Sequence, residues 1–347
     1  MTHAMEFGTE WRFFQHRLGI NLTYYRTNTY NQFFKLPALA GDKFAYRYVN
    51  AGNIQNQGWE VTLNGTPILT SDFTWKTSIN FSTNKNKIVK LHDELKELVY
   101  GPTSFSSSYA MKLVKGGSIG DIYGKAFVRD AAGNIVYETE GDYKGLPLVE
   151  GDGNTVKVGN ANPVFMMGWD HTFSYKGFDL TIFFSGSYGN KALNLTRYRI
   201  EDPRSNGNIL KSSLNYAQIG LIDPNGPDDD YRNLHVVNGS ATTLPALQES
   251  DANNNFTRIS DMLVEDASYI RLQNISIGYT FPKKWINKIF LNNARIYANI
   301  QNVYTWSKYK GLDPEVGAIY GDALMTGVDY GRYPSPRIYT FGLNISF

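Results

Sequence analysis

The sequence predicts an all-β fold: an antiparallel transmembrane β-barrel, to which residues 1–347 supply about nine strands of a larger barrel with long extracellular loops. Three observations support this prediction. Apolar and polar residues alternate with period two in segments of roughly 10 residues, the length of a tilted strand that crosses a bilayer. The polar positions are rich in Asn, Thr, Ser and Gly, and short connections alternate with long ones along the chain.

The predicted strands are recognised by their apolar positions. In the second strand, Leu18, Ile20 and Leu22 share one face, whereas Gly19 and Asn21 share the other. The same alternation recurs to the end of the chain. The predicted spans are 4–14, 18–30, 54–64, 72–86, 163–175, 178–189, 268–281, 294–306 and 337–347.

The connections between these strands fall into two length classes. The short ones are 15–17, 65–71, 176–177 and 282–293, and the long ones are 31–53, 87–162, 190–267 and 307–336. A soluble antiparallel sandwich also alternates, but it has no reason to place every long loop at one end. An outer-membrane barrel has short periplasmic turns and long external loops.

The strand count leads to an expectation about completeness. Single-chain bacterial barrels have even strand numbers with both ends in the periplasm. Nine strands would begin outside the cell and end in the periplasm at Phe347, so residues 1–347 are expected to be a partial barrel. The segment Met1–Glu6 lacks the basic start and apolar core of a signal peptide, so the export signal is expected to lie outside this sequence.

Composition excludes several classes of function. The chain has no cysteine, which excludes thiolate nucleophiles, disulfides and Cys-ligated zinc. The formal net charge of +2 provides no polybasic field, so no nucleic-acid partner is expected. No stretch reaches the roughly 18 apolar residues that a membrane-spanning helix needs.

Segments spread over nearly the whole chain resemble a known family. Asn50 to Glu60 follows the pattern N-x-G-x-x-x-N-x-G-x-E, and a W-x-x-x-x-N-x-S-x-N-K-N strand follows from Trp75 to Asn86. Further segments match in order: Gly116–Gly124, Gly159–Pro163, Ser174–Leu180, Tyr269–Asn274, Ile300–Trp306, Tyr309–Glu315, Tyr333–Pro334 and the closing strand. Together they resemble the SusC/RagA-type TonB-dependent outer-membrane transporters.

The resemblance implies a barrel of about 22 strands in the outer membrane of a Gram-negative bacterium, in contact with outer-membrane lipid and closed by an N-terminal plug. It also implies a SusD-like surface lipoprotein as partner. Energy would come from TonB through an N-terminal region that residues 1–347 do not contain, since plug, TonB box and signal peptide are absent from them. Glycans or peptides would be the imported nutrients.

The last strand carries a candidate recognition signal. Its alternating residues end on an aromatic carboxy-terminus, as expected of a signal that the barrel-assembly machinery reads, although any lipid-facing last strand would alternate in this way. These residues are Tyr339, Phe341, Leu343, Ile345 and Phe347.

The long loops offer weaker candidates. Tyr198, Tyr216, Tyr320 and Tyr330 could stack on sugar rings of a substrate or could only pack a loop on itself. The acidic segment 223–230 offers hard oxygen ligands that suit calcium, from Asp223, Asn225, Asp228 and Asp230. It lacks the spacing and the distal Glu of an EF-hand, so a solvated turn is the simpler interpretation, and no other cofactor is expected.

Several aromatic residues are predicted to lie at the membrane interfaces, where amphipathic rings are favoured. They are Trp75, Trp169, Tyr175, Tyr297, Tyr304, Trp306 and Tyr309. His171 shares the apolar face of Trp169 and Phe173, which indicates either an error of register or an interfacial position.

The sequence therefore predicts the barrel part of a TonB-dependent importer of glycans or other oligomeric nutrients. The alternative is a soluble, cell-surface β-rich glycan-binding protein. No motif assembles a catalytic group, so no enzymatic activity is expected.

Overall fold

The structure is a computed structural model that describes residues 1–37, 43, 46–92, 95–100, 109–137, 147–150, 156–200, 211, 218–227, 233–237, 260–317 and 325–347. In these residues the strands are β1 (Thr2–Phe13), β2 (Leu18–Pro37), β3 (Tyr46–Leu69), β4 (Phe73–Ser82), β5 (Lys85–Lys90), β6 (Glu97–Tyr100), β7 (Tyr109–Val114), β8 (Asp121–Gly124), β9 (Ala126–Phe127), β10 (Val149–Glu150), β11 (Val156–Asn160), β12 (Phe165–Tyr175), β13 (Phe178–Tyr188), β14 (Lys191–Asn194), β15 (Ile219–Leu221), β16 (Leu234–Val236), β17 (Val264–Asp266), β18 (Tyr269–Thr280), β19 (Asn293–Ser307), β20 (Val328–Asp329) and β21 (Ile338–Ser346). The helices are α1 (Leu195–Ile200), α2 (Ser260–Leu263), α3 (Lys283–Ile286) and a 3₁₀ helix (Asn287–Ile289). In this part of the chain, no helix has the length and apolarity to span a membrane.

One antiparallel sheet joins nine strands in the order β1-β2-β3-β4-β12-β13-β18-β19-β21, with β5 paired to β3. Each strand pairs with its neighbours in chain order, which confirms the nine predicted strands. The predicted span 72–86 is the exception in its bounds, because it is divided into β4 and β5. Strands β4, β12 and β13 contain 10, 11 and 11 residues, which suits a tilted membrane crossing.

The hairpin of β2 and β3 is longer than predicted. Its pairing extends to Pro37 opposite Tyr46, so the prediction of a loop over 31–53 is wrong for most of that range. The alternation of apolar and polar residues stops before the hairpin ends, because the outer part of the hairpin lies beyond the apolar part of the sheet. Neither of its faces has to be apolar there.

The register keeps the apolar residues of the main sheet on one face, named here the apolar face. Across the bulges the strands keep this alignment. One row that crosses eight strands consists of Trp11, Ile20, Leu63, Ile79, Trp169, Phe184, Leu272 and Tyr304. Large side chains on this face are open, with Trp59 48%, Ile277 50% and Phe341 81% exposed. A soluble protein rarely leaves a patch of this extent uncovered.

The opposite face, named the polar face, presents mostly polar side chains. The neighbouring row consists of Arg12, Gly19, Asn64, Ser78, Asp170, Phe183, Asn274 and Gln301. Cross-strand hydrogen bonds link its members, including Ser78 Oγ to Asn64 Oδ1 at 2.8 Å and Thr62 Oγ1 to Asn80 Oδ1 at 2.9 Å. The two faces therefore differ as a lipid-facing and a water-facing surface would.

His171 lies on the apolar face in correct register, opposite Thr77 and Ile182. Its Nδ1 accepts a hydrogen bond of 3.2 Å from Trp75 Nε1, and its ring lies 4.4 Å from the Trp169 ring. The polar ring is thus accommodated by aromatic neighbours, and the predicted strand register is not in error.

Aromatic rows mark both ends of the apolar face. At the end of the short turns, Phe178 and Tyr279 have ring centroids 4.4 Å apart. At the end of the long loops, named the long-loop end, Tyr24 lies 4.9 Å from Trp59 and Tyr304 lies 4.8 Å from Trp306.

Two predicted interfacial rings lie elsewhere. Tyr297 falls between Ile296 and Ala298, so the period of the strand places it on the polar face, where its ring covers Gly342. Tyr309 lies beyond the end of β19 and is buried, and its hydroxyl donates a 2.7 Å hydrogen bond to Asp329. The interfacial prediction is therefore wrong for both residues.

The last strand, β21, alternates as predicted. Its residues Tyr339, Phe341 and Leu343 face Ile300, Ala298 and Ile296 of β19 on the apolar face. Tyr339, Phe341, Leu343, Ile345 and Phe347 are between 44% and 87% exposed. Their role as an assembly signal stays a prediction.

The long connections contain short strands that form small sheets at the long-loop end. One sheet has the order β11-β8-β7-β6, and another has the order β17-β14-β20. They share a buried core, named the loop core: Met111, Ile122, Leu193, Leu195, Tyr198, Leu263 and Val328. The loops described are thus a packed layer over one end of the main sheet.

Candidate functional site

A polar cleft of about 710 Å³ opens at the long-loop end, where the main sheet, which forms the wall of the barrel, divides between β5 and β12. Strand β4 pairs with both β3 and β12 up to Ser82, but the strand that follows it, β5, pairs with β3. Strand β12 begins at Phe165. Beyond that residue, toward the long-loop end, β5 and the segment before β12 are therefore not paired with each other. The cleft is lined by Gln55, Gln57, Thr83, Asn84, Lys85, Asn86, Lys87, Gly116, Gly117, Ser118, Lys157, Asn160, Asn162, Pro163, Val164 and Gly189.

The junction between β4 and β5 depends on a glycine. A Cβ atom at Gly58 would collide with the Thr83 carbonyl oxygen, because the chain crosses there at close range. Thr83 and Trp59 exchange hydrogen bonds of 2.9 Å, and the Tyr25 hydroxyl lies 3.1 Å from the same carbonyl oxygen. This local geometry directs β5 away from β12 and so creates the cleft.

Replacing Gly58 by alanine is expected to destabilise the fold by about 1–3 kcal/mol, because backbone must move to admit the methyl group. The matched control is Gly8→Ala, where a Cβ meets the nearest atom, Thr23 Oγ1, at an ordinary 3.4 Å. The denaturant midpoint of unfolding in detergent measures both. Equal midpoints for the two variants would contradict the role assigned to Gly58.

Side-chain amides join the wall to the loop layer beneath the cleft. Asn86 Oδ1 accepts from the Ile119 N–H at 2.7 Å, and its Nδ2 donates to Asn56 Oδ1 at 2.9 Å. On the other side, Asn162 Nδ2 donates to Ser118 Oγ at 3.2 Å, and the Asn162 N–H donates to Asn160 Oδ1 at 2.6 Å. Amides both donate and accept hydrogen bonds, as do the hydroxyls of a sugar and the backbone of a peptide.

An ion pair joins Lys157, which lines the cleft, to the buried Asp121. Lys157 Nζ lies 2.6 Å from Asp121 Oδ1, and the Asp121 side chain is 1% exposed while that of Lys157 is 48% exposed. The same carboxylate accepts a 2.8 Å hydrogen bond from the Ser118 N–H. The buried charge is therefore compensated and holds the loop and β11 in place.

Four of the segments that carry the family resemblance meet at this cleft. Asn56 and Gly58 come from the first, Asn84 and Asn86 from the second, Ser118 from the third and Asn160 from the fourth. The residues predicted from the sequence to bind a ligand were aromatic and acidic, and they did not include this site. The signal that could have found it is the recurrence of asparagine in separate segments.

Buried ion pairs fix the outer loops to the wall. The Arg271 guanidinium is 3% exposed and lies 2.5 Å from Asp313, 2.8 Å from Glu315 and 2.9 Å from Thr305 Oγ1. Arg197 lies 2.9 Å from Glu265 in a second buried pair. Burial and the hydrogen bond to Asp329 raise the pKa of Tyr309, so that its hydroxyl stays a donor. These contacts join the described loop segments to the main sheet and to one another.

Acid is expected to release the loop that carries Asp313. Burial alone raises the pKa of this carboxyl, but the N–H groups of Ser335 and Glu315 and the Arg271 guanidinium outweigh it and hold the pKa below the ordinary 3.8. A lowered pKa stabilises the fold above the ordinary value, and the contribution is lost as pH falls through the lowered one. Limited proteolysis with an acid protease should show faster cleavage of 309–317 below pH 3.8 in the native protein. Asp313→Asn should remove most of this dependence, and an unchanged profile in that variant would contradict the assignment.

The loop tyrosines occupy different positions. Tyr198 is 8% exposed within the loop core, which matches the packing alternative, whereas Tyr330 is 39% exposed. Tyr216 and Tyr320 lie outside the described residues. Ligand binding at these rings stays a prediction.

The calcium candidate is described only in part. Asp223 Oδ1 accepts a 3.0 Å hydrogen bond from the Asn225 N–H, and the Asp223 carbonyl accepts one from Asn233 Nδ2, as in a self-contained turn. Asp228 and Asp230 lie outside the described residues. Among the residues that are described, no group of three His, Cys, Asp or Glu side chains is placed to hold a metal.

Comparison with known proteins gives matches along the whole chain. The family model for the TonB dependent receptor-like β-barrel matches residues 2–303. TonB-dependent receptor P3 of Formosa agariphila is 29% identical over 99% of this chain and 34% of its own length. TonB-dependent receptor SusC of Bacteroides thetaiotaomicron is 28% identical over 86% of this chain and 27% of its own length.

A structure of the RagAB peptide transporter has the same fold, with a TM-score of 0.73 at 21% identity. The match covers 100% of this chain and 35% of that one. The chain thus spans between 27% and 35% of the length of these relatives.

Proposed function

The chain belongs to the TonB-dependent receptor-like β-barrel family, and from this membership we propose that it is the barrel part of an outer-membrane importer of glycans or other oligomeric nutrients. It is located in the outer membrane of a Gram-negative bacterium, as receptors of this family are. Residues 1–347 are assigned to a partial barrel domain, because the chain matches about a third of the length of its relatives.

The observation that supports the proposal most is the separation of the two faces. The apolar face carries aliphatic and aromatic side chains between two aromatic rows, as a lipid-facing wall does. The polar face carries amides, hydroxyls and glycines, together with the pair of Arg295 and Asp179 at 2.7 Å. A wall of this kind provides a permeation path along which a polar solute can form hydrogen bonds.

The cleft and the packed loops suggest how a substrate would first be held. Asparagine side chains at the mouth would exchange hydrogen bonds with a sugar or a peptide, and the ion pairs would keep the loops in position. A SusD-like lipoprotein would cover the mouth, and TonB would act through a plug supplied from outside residues 1–347. These partners are proposed from the likeness to SusC, which is itself a TonB-dependent receptor.

The family is one of transporters and receptors, and we assign the chain no catalytic activity. The soluble glycan-binding alternative is not favoured, because the apolar face would then present a large continuous hydrophobic surface to water. The barrel-assembly machinery would read the terminal strand from Tyr339 to Phe347. Calcium at Asp223 and Asn225, with Asp228 and Asp230, remains a subsidiary proposal.

Uptake by the bacterium that encodes the chain tests the function. A strain that lacks the gene is expected to lose uptake of one class of fluorescent oligosaccharide or oligopeptide, and the restored gene should return it. A protonophore should abolish the same uptake in the wild type, because TonB uses the proton-motive force. Uptake of every class that neither deletion nor protonophore alters would contradict the proposal.

A further inference from the structure

Basic residues lie directly above the aromatic row on the apolar face at the long-loop end. Two residues beyond the pair Tyr24 and Trp59, the register aligns Arg26, Gln57 and Lys85 across three strands. Two residues further it aligns Asn28, Gln55 and Lys87. These six residues are named the basic patch.

The parity of the strands places the basic patch on the outside of the wall. Gln57 and Gln55 continue the alternation of Trp59 and Val61, and Arg26 continues that of Leu22 and Tyr24. Arg26, Lys85 and Lys87 are exposed. Arg26 and the two lysines therefore have the parity of the apolar face, and Gln55, Gln57, Lys85 and Lys87 also line the outer edge of the cleft.

The height of the patch matches the headgroup layer. Two strand residues rise about 7 Å, and the headgroup layer adds roughly 5–7 Å to each side of the hydrocarbon core. Because aromatic rings favour the interface itself, the row of Arg26 and Lys85 falls at headgroup depth when Tyr24 and Trp59 mark the boundary. The long-loop end faces the outside, so this is the outer leaflet.

The charge of the patch is not offset by acidic residues within it. In the same two rows, Met5 of β1 pairs with Arg26 and His3 pairs with Asn28. None of these two residues and the six of the basic patch is acidic. The buried carboxylate of Asp121 is already paired with Lys157. Within the part of the chain that the structure describes, Arg26 donates one long hydrogen bond of 3.4 Å, to Gln55, and Gln55 donates to Gln57 at 2.8 Å.

We propose that the basic patch binds the phosphorylated sugar headgroup of an outer-leaflet glycolipid. The arginine and the lysines would contact phosphate oxygens, because charge-assisted hydrogen bonds to phosphate are among the strongest available to a protein. Gln55 and Gln57 would contact sugar hydroxyls, while acyl chains would lie on the apolar face below. The inference rests on the membrane position of the wall and not on transport.

The test uses the full-length receptor in nanodiscs that contain phosphatidylcholine with or without a diphosphorylated glucosamine-disaccharide lipid. The variant is Arg26→Gln/Lys85→Gln/Lys87→Gln. The matched control is Lys283→Gln/Lys284→Gln/Lys288→Gln, which removes three exposed charges at the short-turn end. Native mass spectrometry measures bound glycolipid, and heat-modifiable migration verifies that each barrel is folded.

The patch variant is expected to bind the glycolipid about 10- to 100-fold more weakly, and the control should match the wild type. Lys85→Arg/Lys87→Arg should retain binding, which separates charge from packing. If the wild type and the patch variant retained equal amounts of bound glycolipid, the proposal would be overturned. Full competition by millimolar glucosamine phosphate would also overturn it, since the ligand would then be a soluble phosphosugar and not a lipid.

Discussion

Replacing Ile182 by arginine is expected to destabilise the inserted barrel by about 2–4 kcal/mol, the cost of a charge at the middle of a lipid-facing strand. Ile182 lies near the centre of β13 on the apolar face, with Ile275 beside it. A charge there must either enter hydrocarbon or distort the strand to reach the headgroups. Equilibrium unfolding of the full-length receptor in phospholipid vesicles measures the difference.

The preceding residue provides the matched control. Thr181 lies on the polar face between Thr172 and Ser276, so Thr181→Arg should change stability by less than about 1 kcal/mol. Both variants add the same side chain to the same strand. If Thr181→Arg were the more damaging change, the assignment of the two faces would be reversed.

Replacing Arg271 by methionine is expected to cost about 3–5 kcal/mol, because it leaves the Asp313 carboxylate buried without its counter-charge. Arg271→Lys should recover only part of this loss, since one ammonium cannot satisfy Asp313, Glu315 and Thr305 at once. The expected signs are a lower melting temperature in detergent and faster proteolysis at 309–317.

An exposed pair serves as the control for the buried one. Lys176 and Asp72 are 3.3 Å apart with side chains 57% and 58% exposed, so Lys176→Met should cost no more than about 1 kcal/mol. A second comparison is Arg271→Met/Asp313→Leu, which removes both charges and should be less damaging than Arg271→Met alone. If the double variant is no better than the single one, the loss comes from packing and not from an unpaired charge.

The main sheet could be predicted because each membrane strand has one apolar and one polar face. Period two then fixes which residues lie together, as for Ile20, Leu63 and Ile79 across three strands. The same rule places Tyr297 on the polar face, so its prediction as an interfacial ring conflicts with the period of its own strand. Alternation stops where the hydrocarbon ends, so the outer half of the β2–β3 hairpin could not be predicted.

The cleft could not be predicted from the sequence for a different reason. Its residues come from segments as distant as Gln55 and Asn162, and these segments are joined by hydrogen bonds that follow no sequence period. The steric role of Gly58 depends on the Thr83 carbonyl, which only the fold places beside it. Likewise, the burial of Arg271 depends on Asp313 and Glu315, more than 40 residues further along the chain.

The most direct test of the central claim, that one face of this sheet contacts lipid and the other lines a water-filled interior, is cysteine scanning along β18. The chain contains no cysteine, so each introduced thiol is the only one within it. In intact outer membranes, Asn274→Cys and Ser276→Cys should react with a water-soluble maleimide, whereas Ile275→Cys and Ile277→Cys should react only with a membrane-permeant, lipid-soluble one. Equal reactivity of all four thiols toward the water-soluble reagent would contradict the account, because both faces would then be in water.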